Sequence, residues 1–240
     1  MAARALMPDH GTSIFFDASA ECLAREIARR LPAGFAVAPG DVPDSGWYLF
    51  AGRDGLLLRK GDGRFRLSDR VRDRRRSRNT ALARACDAGP GVRVLDATAG
   101  WGTDGLALGA LGCQVRMLEA HPLVFAMLDD RLRRSGLHAR TEWADAVSRM
   151  CNVPAERYDV VYLDPMFPPR SKTALPARPL QVLREIVGEV TDPSELLGLA
   201  LRCARSRVVM KQRAHGPTLG DPDWRVAGRT VRFDVYRPLG

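Results

Sequence analysis

A chain of 240 residues, 45% hydrophobic and 27% charged, can hold one α/β domain with a real core and a small appendage. No run approaches the ~20 apolar residues of a membrane span, and the first ten residues lack the apolar stretch of a secretory signal, so the expected location is the cytoplasm. The formal charge of +9 favours a polyanionic partner; five scattered cysteines without a C-x-x-C and four scattered histidines speak against a disulfide framework or a zinc site, and no metal is expected.

Taken in chain order, residues 13–17 read as a short strand and 20–31 as an amphipathic helix, with Cys22, Leu23, Ile27 and Leu31 on one face. Pro32 and Gly34 stop that helix, and apolar or alternating runs at 47–50, 55–59 and 64–67 predict a small β meander. Residues 1–68 are therefore expected to form a small α+β extension, a cap or substrate-handling element too short for an enzyme core. Residues 69–90 are a basic linker or helix, holding six arginines in the nine positions 70–78. Arg74, Arg75 and Arg76 in that run serve either as a solvated stretch or as an arm that contacts phosphates. The run's position directly before the α/β domain supports the arm and leaves both readings open, while the excess of basic over acidic residues points to a nucleic-acid partner. The scarcity of lysine (only Lys60, Lys172 and Lys211 among 37 basic residues) needs nothing more than a G+C-rich genome.

Residues 91–240 alternate strand and helix. Strands are predicted at 92–96, 114–118, 140–143, 159–163, 207–211 and 230–236, and helices at 104–111, 122–134, 180–190 and 193–204. This pattern defines an α/β class with a doubly wound, mostly parallel sheet. In the last strand Val231, Phe233 and Val235 alternate with Arg232 and Asp234, which predicts one face in the core and one in water.

Two stretches carry chemistry. Gly100-Trp101-Gly102-Thr103-Asp104-Gly105 fits G-x-G-x-x-G after a strand and at the start of a helix, the pattern of a nucleotide-binding loop. Glu119, at the end of the next strand, is placed to accept hydrogen bonds from ribose hydroxyls. A pyrophosphate at this helix start would be repelled by Asp96 and Asp104, whereas the ammonium and sulfonium of S-adenosylmethionine would be attracted. Asp145 is placed either as an acceptor for the adenine amine or as the N-cap of a helix over 146–150. Trp101 either covers the cofactor or packs on the sheet. The second stretch, Asp164-Pro165-Met166-Phe167, ends a buried strand on a carboxylate, a proline turn and an aromatic ring. Such a tip suits a planar base with an exocyclic amine, which donates to Asp164 while the ring stacks on Phe167.

Asp96-x-x-x-Gly100-x-Gly102 resembles the first-strand signature of class I methyltransferases, the Rossmann-like fold that uses S-adenosyl-L-methionine. Asp164-Pro165-Met166-Phe167 resembles the (Asn/Asp)-Pro-Pro-(Tyr/Phe) motif of enzymes that methylate nucleobase amines. The segments 96–104, 116–119, 128–130, 161–168, 208–211 and 232–236 together resemble the RsmJ family, in which methionine stands at the place of Met166. That family methylates the guanine N2 amine of small-subunit ribosomal RNA in bacteria. The resemblance covers roughly residues 70–237. The basic stretch at 74–80 departs from the family pattern, because it lacks the glycines that usually accompany it.

The resemblance implies an S-adenosylmethionine-dependent methyltransferase domain over 91–240, with Thr103, Asp104, Glu119, Ala120, Asp145, Ala146 and Asp164 lining the cofactor pocket beside Asp96, Gly100 and Gly102. It implies that Asp164 and the Pro165 carbonyl orient the amine, and that Phe167 stacks on an unstacked guanine. Arg170 and Lys172 are candidates to grip phosphate, and Lys211, closing a strand at the same sheet edge, is a candidate to face substrate. The expected partner is 16S ribosomal RNA or the 30S subunit, met by a monomer. The alternatives are an N6-adenine or DNA amino-methyltransferase of the same fold, and a non-catalytic RNA-binding assembly factor.

Overall fold

The computed structural model describes residues 12–32, 35–38, 42–53, 55–68, 77–152, 158–166, 177–188 and 192–238. The N-terminal part contains β1 (Thr12–Phe16), α1 (Glu21–Arg30), β2 (Phe35–Val37), β3 (Tyr48–Gly52), β4 (Gly55–Lys60) and β5 (Gly63–Phe65). Its five strands lie in the order β2-β1-β3-β4-β5. The meander β3-β4-β5 is antiparallel, as its short alternating runs predict, but β1 pairs in parallel with both β2 and β3. Register aligns Leu49 with Leu58 and Ala51 with Leu56, so alternation buries all four on one face. Ala24 and Ile27 of α1 cover that face. Each fully buried leucine there contributes on the order of 1.5–3 kcal/mol.

The remainder contains α2 (Ala81–Cys86), β6 (Arg93–Asp96), α3 (Thr103–Gly109), β7 (Gln114–Glu119), α4 (Pro122–Ser135), β8 (Ala139–Trp143), α5 (Ala146–Cys151), β9 (Tyr158–Leu163), α6 (Arg178–Val187), α7 (Pro193–Cys203), β10 (Ala204–Arg213), β11 (Trp224–Ala227) and β12 (Val231–Tyr236). Seven strands form one sheet in the order β11-β12-β10-β9-β6-β7-β8. β8, β7, β6, β9 and β10 are parallel, and β12 runs antiparallel to its neighbours β10 and β11. The chain leaves β6 toward β7 on one side and later returns to β9 on the other. That reversal opens a crevice outside the carboxyl ends of β6 and β9, where open α/β sheets bind ligands.

Alternation sorts the strand residues onto two faces. Val94, Val160, Tyr162 and Val209 pack with α2, α3 and part of α4, while Leu95, Val161, Leu163 and Val208 pack with α5 and α7. α4 starts at Pro122, whose missing N–H costs a helix nothing at that position, and ends at Gly136, whose φ of +66° closes the last turn. It is buried nearly all round because it serves two cores. Val124, Phe125 and Met127 join the core of the N-terminal sheet, whereas Leu128 and Leu132 face the seven-stranded sheet. The N-terminal extension therefore shares its core with α4 and with Val182 of α6.

One expectation from alternation fails. β12 has no water face: Arg232 and Asp234 are buried, Asp234 completely. β11 pairs along its outer edge, so β12 is interior to the sheet, and the 213–218 turn wraps the guanidinium of Arg232 with carbonyl acceptors. β2 and β11, three and four residues long, were not anticipated, and of the basic linker or helix expected over 69–90 the described part holds the six-residue α2. Among the described residues no helix is long and apolar enough to cross a membrane.

Candidate active site

Acidic residues mark the carboxyl ends of four adjacent strands. Asp96 ends β6, Glu119 ends β7, Asp164 follows β9, and Asp145 stands two residues beyond β8. Lys211 lies on the neighbouring β10, one residue past Met210, which pairs with Leu163. By period-two alternation Asp96, Tyr162, Asp164 and Lys211 project to the face that carries α3, whose first turn holds Asp104.

The glycine loop joins β6 to α3. Gly102 has φ +70°, and a Cβ there would sit 2.3 Å from Cδ1 of Leu128; one on Gly105 would sit 2.6 Å from Sδ of Met117 and 2.8 Å from Oδ2 of Asp96. The first glycine makes the turn possible, and the second lets α3 settle against the strands. Glu119 fastens the loop from the side. Gly100 N–H donates to its Oε2 at 3.0 Å and His121 N–H to its Oε1 at 2.7 Å. Burial pushes the Glu119 carboxyl up to about 7, against the pull of those backbone donors.

Charge is concentrated where the loop meets the tip of β9. Lys211 Nζ donates to Asp104 Oδ2 at 2.6 Å and to Asp164 Oδ2 at 2.7 Å, and Tyr162 Oη donates to Asp104 Oδ2 at 2.8 Å. Asp96, 1% exposed, is held well above the usual carboxylate range by burial and then by the nearby Asp104; Thr98 N–H, donating at 3.3 Å, opposes this. Burial also raises the Asp164 carboxyl, with Lys211 pulling it down and Asp104 adding to the rise. For Lys211, burial opposes the charge, but Asp104 and Asp164 together lift its pKa above the ordinary lysine value. The Asp164 side chain keeps 38% of its surface exposed, so the tip opens to solvent. Among the described residues three acidic side chains converge around Lys211 at this opening, two of them bonded to its ammonium. A cationic ligand fits there; a pyrophosphate does not.

The other expected site residues fall along the same edge. Thr103 begins α3, exposed Ala120 follows β7, and Ala146 begins α5. Asp145 caps α5, accepting Ser148 N–H at 2.8 Å, which is the helix-capping alternative. Pro165 is buried beside Asp164. Trp101 packs on Phe65, with ring centroids 5.2 Å apart, and its Nε1–H donates to the carbonyl of Pro179 at 2.8 Å. Phe167, Arg170, Lys172, Arg74, Arg75 and Arg76 lie outside the described residues.

Three residues assume parts that the sequence did not assign. Thr98 Oγ1 accepts the N–H of Asp164 at 2.6 Å and so ties the cofactor loop to the tip. Tyr162 buttresses Asp104 from within the sheet. Arg131, buried in α4, donates to the carbonyls of Ser68 at 2.7 Å and Trp101 at 2.5 Å and to Thr103 Oγ1 at 3.2 Å. A charge three residues after Leu128, on the core stripe of a helix, is the sequence signal that could have exposed Arg131.

The strand order, the glycine loop and the acidic carboxyl edge define a class I S-adenosylmethionine-dependent methyltransferase. Residues 65–238 match a family described as "Putative SAM-dependent methyltransferase". The ribosomal RNA small subunit methyltransferase J of Marinobacter nauticus is 38% identical over 242 residues, covering 89% of this chain and 86% of that protein. Its namesake from Alkalilimnicola ehrlichii is 36% identical over 252 residues, covering 94% and 95%. A crystal structure of a SAM-dependent methyltransferase from Neisseria gonorrhoeae is similar with a TM-score of 0.70 and 28% identity, covering 95% of this chain and 97% of that one. The chain belongs to the ribosomal RNA small subunit methyltransferase J family.

Proposed function

We propose that the protein transfers a methyl group from S-adenosylmethionine to the exocyclic N2 amine of a guanine in 16S ribosomal RNA, free or within the 30S subunit. The observation that carries this reading is the placement of Asp164: a partly exposed carboxylate at the end of β9, hydrogen-bonded through Lys211 to Asp104 of the cofactor loop. The relatives, ribosomal RNA small subunit methyltransferases by name, support the choice of small-subunit RNA.

When bound, S-adenosylmethionine supplies an electrophilic methyl group on a sulfonium. Asp96 and Asp104 hold the cationic end, Glu119 accepts from the ribose hydroxyls, and the bare backbone of Gly100 and Gly102 allows close approach. Asp164 and the carbonyl of Pro165 accept the two N2 hydrogens. That draws the nitrogen lone pair out of conjugation and aims it along the transfer line, so that positioning supplies much of the acceleration. The amine loses its proton after the methyl arrives, and Asp164 is the nearest acceptor. Phe167 stacks on the unstacked guanine. Arg74, Arg75, Arg76, Arg170 and Lys172 contact phosphates, with residues 1–68 as a substrate-handling extension and 69–90 as a basic connection to the methyltransferase domain over 91–240. The enzyme works in the cytoplasm as a monomer.

Mass spectrometry of nucleosides from small-subunit RNA tests this. Cells lacking the protein are expected to lose one N2-methylguanosine, and complementation restores it. An unchanged N2-methylguanosine content, or loss of N6-methyladenosine instead, overturns the assignment.

A further inference from the structure

Lys211 sits on β10, a strand that contributes neither to the glycine loop nor to the Asp-Pro-Met-Phe tip, yet its ammonium contacts both. The groups facing it are Asp104 from α3 and Asp164 from the end of β9; Tyr162 Oη reaches it through Asp104, and Asp96 at the end of β6 lies in the same field. Its side chain is 24% exposed, and both near contacts are with carboxylates rather than with open solvent. A lysine so engaged is poorly placed to grip a phosphate. It would have to leave two negative charges in a crowded site.

We propose that Lys211 is a positioning residue that sets the catalytic carboxylate: its ammonium takes Oδ2 of Asp164, leaving Oδ1 to receive the guanine N2 hydrogen. Thr98 completes the clamp from the backbone side, since its Oγ1 accepts the Asp164 N–H at 2.6 Å. A carboxylate free to turn about its side-chain torsions presents its oxygens in many directions. One tied at the amide and at one oxygen presents the other in a single direction, which an amine aimed at a methyl group requires. Lys211 also opposes the rise that burial and Asp104 impose on the Asp164 carboxyl, because its ammonium is bonded directly to that carboxyl. Asp104 has the opposite effect on Asp164, as a like charge and as a competitor for the same ammonium.

This inference rests on the reading of Asp164 as the amine acceptor, and its test includes a measurement that needs no substrate. Carbon-13 NMR of aspartate carboxyls in the protein without ligands, with the Asp164 signal assigned by its absence from Asp164→Asn, reports the titration of that group directly. Lys211→Met is expected to raise the Asp164 midpoint by about one pH unit or more, and Asp104→Asn to lower it. Lys211→Arg, which keeps the charge, leaves it near the wild-type value. At saturating cofactor and RNA, the acidic limb of kcat against pH moves in the same directions, and kcat of Lys211→Met falls at least tenfold while KM for RNA stays within threefold. An Asp164 midpoint that does not move in either variant overturns the clamp whatever the substrate is. Should Lys211→Met not fold, Lys211→Gln is titrated in its place, with the same rise expected and the same lack of movement overturning the clamp. A raised KM with unchanged kcat also overturns the inference and returns Lys211 to substrate binding. Midpoints that move as expected in an enzyme modifying another base would retain the clamp and discard only the guanine.

Discussion

β10 and β12 carry a buried charge cluster on each face of the sheet, and the two are built to opposite rules. On one face Arg232 donates to Asp234 Oδ1 at 2.8 Å and Oδ2 at 3.1 Å, and to the carbonyls of Arg213 at 2.9 Å, Gly216 at 2.8 Å and Pro217 at 3.0 Å. Its donors are turned inward onto the chain, and Asp234 has both oxygens engaged. On the other face the ammonium of Lys211 bridges Asp104 and Asp164, with the buried Asp96 in the same field, at an edge that opens to solvent. The first cluster satisfies itself and locks the 213–218 turn onto the sheet. The second gathers acids with shifted pKa values from separate strands and a helix around one lysine at a solvent-facing edge. Burial and ion pairing alone do not mark a site; perturbed groups converging at an opening do.

The contrast can be broken most severely at its structural half. Arg232→Met leaves the buried Asp234 carboxylate with only the more distant Arg225, whose Nε lies 3.5 Å from Oδ1, and chemical denaturation is expected to show a loss of about 3 kcal/mol. Folded protein that remains binds S-adenosylmethionine as before; a loss below about 1 kcal/mol would mean that the pair is no lock. Next in size is Gly102→Ala. Its methyl meets Leu128 in a left-handed backbone, and calorimetry is expected to show cofactor affinity reduced at least tenfold, about 1.4 kcal/mol.

The functional half is sharpened by pH. Burial sets the free Glu119 carboxyl at about 7, and ribose hydroxyls donate to its ionised form, so binding expels a proton. Affinity for S-adenosylmethionine therefore strengthens as pH rises from 6 to 8, by up to about tenfold, and levels off above. Glu119→Gln binds more weakly and shows a flat profile over that range; a wild-type profile equally flat would remove Glu119 from the ribose. The smallest effect is expected from Thr98→Val, which keeps the shape but leaves the Asp164 N–H without its acceptor. A cost of about 1 kcal/mol corresponds to a roughly fivefold fall in kcat, with cofactor affinity unchanged.

Most of the parallel sheet was legible because β6, β7, β9 and β10 are apolar runs ending on punctuating residues, and the glycine loop and the Asp164 tip sit at two of those ends. What escaped was set by partners distant in sequence. The alternation of β12 read as a wetted face because nothing local announced that the 213–218 turn would fold over it, with its carbonyls around Arg232. β1 was expected as a short strand, but its parallel pairing with β3 follows from the crossover through α1 and not from any local pattern. Lys211 was recognised by its place at the sheet edge. Its two carboxylate partners lie 47 and 107 residues away, beyond the reach of any local reading. Arg131 and Thr98 likewise act only through contacts made once the extension, the loop and the tip are folded together.

The central claim is that the Asp164 tip and the glycine loop form one site at which a guanine amine receives a methyl group. The direct measurement is transfer of a labelled methyl group from S-adenosylmethionine to small-subunit RNA from cells lacking the protein, with wild type and Asp164→Ala compared and the labelled nucleoside identified. Label is expected in N2-methylguanosine with wild type and none with Asp164→Ala, whose cofactor affinity stays within about tenfold. Transfer by Asp164→Ala at the wild-type rate, or label in any other nucleoside, would contradict the claim.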